Sequence, residues 1–246
     1  MHTFKNITSR QNPWAQRIRE ALHEHTAEIV IEGPKAVAGA LAAGWQPLAL
    51  AATDPALLPE DAVAGEHLLF SAKLFDSIGD TKTSQGALGL FARPRHEAAA
   101  ILARRDAVVI ALDAVQDPGN VGTIIRLAAA FDAAGVLLFP GCADAFSPKS
   151  IRSSAGAILG VPVANITVEA LLDSGLPLFA ADADGAAIDP PAAGAVLIFG
   201  SEGHGVSPIL LEHSKRIAIL TSGRVESLNV AASAAILLAR SFALRR

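Results

Sequence analysis

Residues 106–139 read DAVVIALDAVQDPGNVGTIIRLAAAFDAAGVLLF, and this stretch decides the fold. Ala107 to Val115 is a nearly unbroken apolar run, the pattern of a strand covered on both faces. A turn of Gln116, Asp117, Pro118, Gly119 and Asn120 follows, then a helical stretch from Val121 to Ala134 capped by Gly135. Val136 to Phe139 is the next strand. Strand, helix and strand within some thirty residues form a βαβ unit, whose crossover is right-handed.

The pattern continues outward in both directions. Towards the C-terminus, strands are expected at Val161–Asn165, Leu178–Asp182, Ala195–Gly200 and Arg216–Leu220, with a long last helix from Leu228 to Phe242. Towards the N-terminus, helices are expected at Gln11–Glu24 and from Gly33-Pro34 to Gly44. Strands are expected there at Glu28–Glu32, Leu48–Ala51, His67–Phe70 and Ala87–Phe91. The run Arg93-Pro94-Arg95-His96 interrupts the pattern, and Ala98–Arg105 reads as a short linking helix. The chain therefore reads as an α/β protein of two domains, 1–105 and 106–246, the second built on a mainly parallel sheet.

Composition narrows the function classes. The 246 residues are 51% hydrophobic and 18% charged, too apolar for a disordered chain. No run reaches the ~18 apolar residues that a membrane span needs, and residues 1–6 lack the apolar centre of a signal peptide. The single Cys142 has no partner for an internal disulfide and reads as a buried thiol of a cytoplasmic protein. The net charge is −4, and the surplus acid lies in 106–246. Any nucleic-acid contact must therefore come from local clusters, such as Lys5, Arg10, Arg17 and Arg19.

In an open parallel sheet, ligands bind beyond the carboxyl ends of the strands. Three loops there carry chemistry. In Asp117-Pro118-Gly119-Asn120-Val121-Gly122, Asn120 is placed to cap the helix and the glycines permit close backbone approach. Arg126 follows as a lone guanidinium among Ile124, Ile125, Leu127 and alanines. Gly200-Ser201-Glu202-Gly203-His204-Gly205 alternates glycine with polar residues after a strand. Thr221 to Asn229 joins a strand to the last helix, with Ser227 as its expected cap and Asn229 just inside. The hydroxyl-rich Ser147–Ser154, with Lys149 and Arg152, is placed for phosphate contacts. His23, His25 and Glu24 are too few for a metal site. The loops lack a dinucleotide fingerprint, which disfavours a nucleotide-dependent oxidoreductase.

Together these loops resemble the SpoU (TrmH-like) branch of the SPOUT RNA methyltransferases. Leu112–Gly135 is similar to the first family motif, Phe199–Gly205 to the second, and Ile219–Ala232, centred on Ser227-Leu228-Asn229-Val230, to the third. Leu220 and Thr221 stand where the third motif usually has proline and methionine. Ile31-Glu32-Gly33 and Thr83-Ser84-Gln85-Gly86-Ala87-Leu88 resemble an RNA-binding domain of ribosomal L30e type. The resemblance implies a C-terminal trefoil knot, S-adenosylmethionine as methyl donor, a ribose 2′-hydroxyl of structured RNA as acceptor, and a homodimer. It places Gly200, Ile219 and Leu228 in the donor pocket, and Asn120, Arg126, Glu202, Ser227 and Asn229 at the reaction centre. Ribosomal RNA is the expected substrate. A transfer-RNA 2′-O-methyltransferase and a non-catalytic RNA-binding protein of the same fold are the alternatives.

Overall fold

The structure, a computed structural model, describes residues 3–79 and 84–246. Thr83, part of the L30e-like resemblance, lies outside the described residues. The chain forms two compact units, one running to Pro94 with Phe146–Pro148, the other comprising Arg95–Ala145 and Lys149–Arg246. The boundary between the compact units falls at Pro94/Arg95. The reason is helix α4 (Ala98–Leu102, numbered below), whose Ile101 and Leu102 lie in one apolar cluster with Ala134, Leu137 and Ala164 of the second unit.

In the first unit the elements are β1 (Phe4–Ile7), α1 (Pro13–His23), β2 (Glu28–Glu32), α2 (Pro34–Ala42), β3 (Pro47–Ala52), β4 (Glu66–Phe70), α3 (Ala72–Asp76) and β5 (Ala87–Ala92). Asn12 caps α1 by accepting from the Trp14 amide, and Ala15, Ile18, Ala21 and Leu22 form its buried stripe. The sheet order is β1-β4-β3-β5-β2. β1, β4 and β3 run parallel, while β5 is antiparallel to both β3 and β2. The sequence pattern missed β1 and α3, whose short stretches mix exposed polar with apolar residues.

The second unit comprises α4, β6 (Val109–Asp113), α5 (Pro118–Ala130), β7 (Gly135–Leu138), α6 (Pro148–Ser153), β8 (Val163–Asn165), α7 (Val168–Leu172), β9 (Leu178–Ala186), β10 (Val196–Gly200), α8 (Pro208–Glu212), β11 (Lys215–Ile217) and α9 (Val230–Ala243). Its sheet has the order β11-β9-β10-β6-β7-β8, and every pairing is parallel. The central strands β6, β7 and β10 are buried almost without interruption, as both-face coverage by helices requires, while β9 and the edge strand β11 are partly exposed.

From β6 the chain steps outward through β7 to β8. It then crosses to the far side for β9 and inserts β10 between β9 and β6. The β6/β10 boundary is therefore the point where strand order reverses, the favoured place for a ligand crevice. The last residues of the two strands, Asp113 and Gly200, are register partners, so their loops leave the sheet side by side.

Helix boundaries differ from the sequence pattern in α4, which ends at Leu102 rather than Arg105, and in α5 and α9. α5 starts at Pro118, because Asp117 rather than Asn120 is its cap. Its C-cap is Phe131, and Gly135 opens β7 instead of closing the helix. α9 starts at Val230, capped by Asn229 and not by Ser227. Among the described residues no helix is long and apolar enough to cross a membrane.

Candidate functional site

The first loop is set by an acidic cap. The Asp117 side chain accepts from the Gly119 amide at 3.0 Å, with Pro118 in the first helical position. Lys149 Nζ sits 2.5 Å from Asp117 Oδ1. The Lys149 ammonium, aided by the Gly119 N–H, holds the Asp117 carboxyl below the usual carboxylate range. With the cap supplied by Asp117, the Asn120 side chain is released from helix duty. Its Nδ2 donates to Glu202 Oε1 at 2.7 Å.

Glu202 is carried at the tip of a self-closed turn. Ser201 and Gly205 exchange two backbone hydrogen bonds of 3.0 Å each, and Ser201 Oγ accepts from the His204 amide at 3.1 Å. Gly205 has φ +67°, and a Cβ on Gly200 would lie 2.0 Å from the Gly205 carbonyl carbon. Glycine is required at 200 because the turn folds back onto it, a constraint internal to the chain. Partial burial pushes the Glu202 carboxyl up, but hydrogen bonds from the Asn120 side chain and from the backbone of Glu202, Gln116 and Asp117 outweigh it. The net shift is below the ordinary value. Glu202 is thus a carboxylate at neutral pH and a weak base.

Asn229 completes the arrangement. Its Oδ1 accepts from the amides of Ala231 and Ala232 at 2.9 and 3.2 Å, capping α9. Its Nδ2 donates to Asn120 Oδ1 at 3.2 Å. The helix amides fix which end of the Asn229 side chain is oxygen. That choice fixes Asn120, whose Nδ2 must then face Glu202. Three residues from three loops thus form one directed relay, α9 amides to Asn229 to Asn120 to Glu202.

Other expected residues stand apart from this relay. Arg126 lies six positions after Asn120, which on an α-helix is ~9 Å along the axis and ~120° around it. It is exposed and makes no ion pair or hydrogen bond among the described residues. Ser227 is exposed and likewise unbonded among them. The stretch expected to contact phosphate is mostly committed internally. Ser150 Oγ donates to the Asp144 carbonyl and Ser154 Oγ to that of Ile151, both at 2.7 Å, and Lys149 pairs with Asp117. Gly122 serves packing, since a Cβ there would meet the Ser150 carbonyl oxygen of α6 at 2.2 Å. The sequence pattern missed Asp113, which ends β6 and whose Oδ2 accepts from the Ser207 amide at 2.7 Å. An acid closing an apolar strand was the available signal.

Ile219 and Leu228 are half-buried at the two ends of an irregular segment. Between them, the Gly223 amide bonds Thr221 Oγ1, and no other backbone N–H from Ile219 to Leu228 is hydrogen-bonded among the described residues. Half-buried apolar side chains in one segment with free backbone N–H groups suit a heteroaromatic ring such as adenine. The residues present fit S-adenosylmethionine.

Comparison with known proteins follows the same lines. The profile of the SpoU rRNA Methylase family matches residues 107–239. The chain belongs to this family. Its residues are 32% identical over 250 positions to the 23S rRNA (guanosine(2553)-2′-O)-methyltransferase RlmP of Bacillus subtilis, covering 95% of this chain and 98% of that one. The AdoMet-bound rRNA methyltransferase from Sinorhizobium meliloti superposes with TM-score 0.87 at 27% identity, over 97% of each chain. A putative TrmH-family RNA methyltransferase from Porphyromonas gingivalis gives TM-score 0.81 at 30% identity, over 95% of this chain and 98% of that one. The expected SpoU methyltransferase, dependent on S-adenosylmethionine, is borne out at the level of the family.

Proposed function

We propose that the chain methylates a ribose 2′-hydroxyl of ribosomal RNA, using the Asn120–Glu202–Asn229 relay as the fixed floor of its reaction centre. The observation that carries this reading is the relay itself. Residues from all three motifs, 82 and 109 positions apart, meet in two hydrogen bonds. When bound, S-adenosylmethionine supplies an electrophilic methyl group on a sulfonium. Gly200, Ile219 and Leu228 are the residues to hold it, the last two through apolar contact and neighbouring backbone.

Everything else falls to side chains. Transfer is an in-line displacement, so orientation of the hydroxyl supplies much of the rate. Asn120 keeps one amide hydrogen and Asn229 another beyond those used in the relay, which gives two fixed donors for an oxygen. Arg126 addresses the RNA beyond the relay, gripping a phosphate and steadying the developing alkoxide. Glu202 orients rather than deprotonates, since its depressed pKa makes it a poor base, and the 2′-hydroxyl proton passes to water as the oxygen–methyl bond forms and the methyl–sulfonium bond breaks. Ser227 borders the same centre from the segment before α9.

The first unit is the RNA-binding part in this reading. Two of its four expected cations are already paired, Lys5 with Glu66 and Arg17 with Glu28, and Arg10 donates to Ser77. Arg19 is left as the cation of that group for a phosphate. A homodimer, a C-terminal trefoil knot and a cytoplasmic site of action, where ribosomes are, belong to the same proposal. The rRNA action of the Bacillus subtilis relative supports ribosomal over transfer RNA. Calorimetry with S-adenosylmethionine, followed by parallel transfer to ribosomal and transfer RNA, tests it. Donor binding with methylation of rRNA is expected. Binding of RNA without donor binding would favour the non-catalytic alternative.

A further inference from the structure

We propose that Asp113 is a positioning residue for methyl transfer, acting through the Ser201–Gly205 turn to hold Glu202 against Asn120. The inference rests on the methyl-transfer reading above.

The turn is fixed to the sheet at two points, and Asp113 is at both. On entry, Gly200 is in register with Asp113 across the β6/β10 pairing. On exit, the Asp113 carboxylate accepts the Ser207 amide at 2.7 Å. Ser207 is the N-cap residue of α8, and its own side chain makes no cap hydrogen bond. Between these anchors the turn has little freedom. Ser201 and Gly205 are doubly bonded through their backbones, and Gly200 packs directly on the Gly205–Val206 peptide. A stiff turn held at its base carries any tilt there to its tip. The tip is Glu202, which accepts the last hydrogen bond of the relay and so holds Asn120 from its far side. A charged acceptor makes a hydrogen bond roughly twice as strong as a neutral one, so a carboxylate at the base suits this task.

Three variants of the full chain test this. Asp113→Ala removes the acceptor. Asp113→Asn keeps an acceptor oxygen without the charge. Ser207→Pro removes the donor, and its backbone (φ −62°, ψ 149°) already suits a proline followed by Pro208. The readouts are donor affinity, single-turnover transfer at saturating donor, and the Glu202 carboxyl titration followed by NMR. Asp113→Ala and Ser207→Pro should each slow transfer roughly 10- to 100-fold, the worth of one hydrogen bond to a charged group. Donor affinity should change little. The Glu202 midpoint should rise towards the ordinary glutamate value in both variants and stay low in Asp113→Asn, which recovers most of the rate. The double variant should be no slower than either single one, because both remove the same bond. Unchanged rate and titration in the first two variants, additive slowing in the double, or Asp113→Asn as slow as Asp113→Ala would each overturn the proposal. A wild-type chain that transfers no methyl group would overturn the activity reading instead. The titration would then decide the Asp113 claim alone.

Discussion

Replacing Asn229 by aspartate separates its two tasks. The side-chain oxygen that accepts from Ala231 and Ala232 is retained, so α9 keeps its cap. The Nδ2 that donates to Asn120 at 3.2 Å is lost, and a carboxylate oxygen faces Asn120 Oδ1 instead. A neutral hydrogen bond unmade costs about 1 kcal/mol, and once bound RNA shuts water out of the site an acceptor left without a donor costs roughly 1–3 kcal/mol more. If Asn120 must hold its direction in the transition state, the sum of about 2–4 kcal/mol corresponds to roughly 30- to 1,000-fold in rate. Asn120 can recover a bond by turning its amide over, but it then presents oxygen to Glu202 and breaks the 2.7 Å contact. Stability should hardly change, since aspartate caps as well as asparagine. Asn229→Ala loses the cap too, at about 1 kcal/mol, or roughly 2–4 °C in melting temperature for a domain of this size. Single-turnover transfer with labelled donor, beside thermal melts, checks both. Near-normal transfer by either variant would refute the relay as the fixed floor of the site.

Gly200→Ala should disrupt the Ser201–Gly205 turn and lower the melting temperature, whereas Gly203→Ala, with nothing within 4 Å of its added Cβ, should be tolerated; parallel melts decide this. Arg126→Ala should leave donor affinity intact and slow turnover ~10²–10³-fold, the loss typical of one strong transition-state contact. Arg126→Lys should be nearly as slow because an ammonium cannot form the planar fork; donor titration beside single-turnover rates tests both. The carboxyls of Asp117 and Glu202 titrate below their ordinary values when folded, so the unfolded chain binds more protons in the acid range. Their contribution to stability is full above the ordinary carboxylate range and is lost as pH falls through the depressed folded values. Urea melts across that range should flatten in Asp117→Asn.

The parallel sheet was legible because its strands are buried on both faces, so runs such as Ala107–Val115 and Ala195–Gly200 announce themselves without alternation. β1 and α3 were not, since Phe4-Lys5-Asn6-Ile7 and Ala72-Lys73-Leu74-Phe75-Asp76 mix exposed polar residues with apolar ones and show neither an apolar run nor a period. Cap identity was misread for a local reason. Asn120 and Ser227 are both good capping types, but Asp117 and Asn229 are the residues whose backbone is extended at the helix start. The motif residues Asn120, Glu202 and Asn229 were named from sequence. Their meeting could not be, because it depends on β10 inserting beside β6, a pairing set by the whole sheet. Asp113 stayed hidden because its partner is a backbone amide 94 positions away, and a backbone donor leaves no mark in the sequence.

The most direct test of the account is the chemistry of the product. The chain is incubated with S-adenosylmethionine carrying a labelled methyl group and with ribosomal RNA lacking the modification. The RNA is then digested to nucleosides and examined by mass spectrometry. The account predicts label on a ribose 2′-oxygen, lost when Asn120 is replaced by alanine. Label on a base, or no label in RNA while the donor binds, would contradict it.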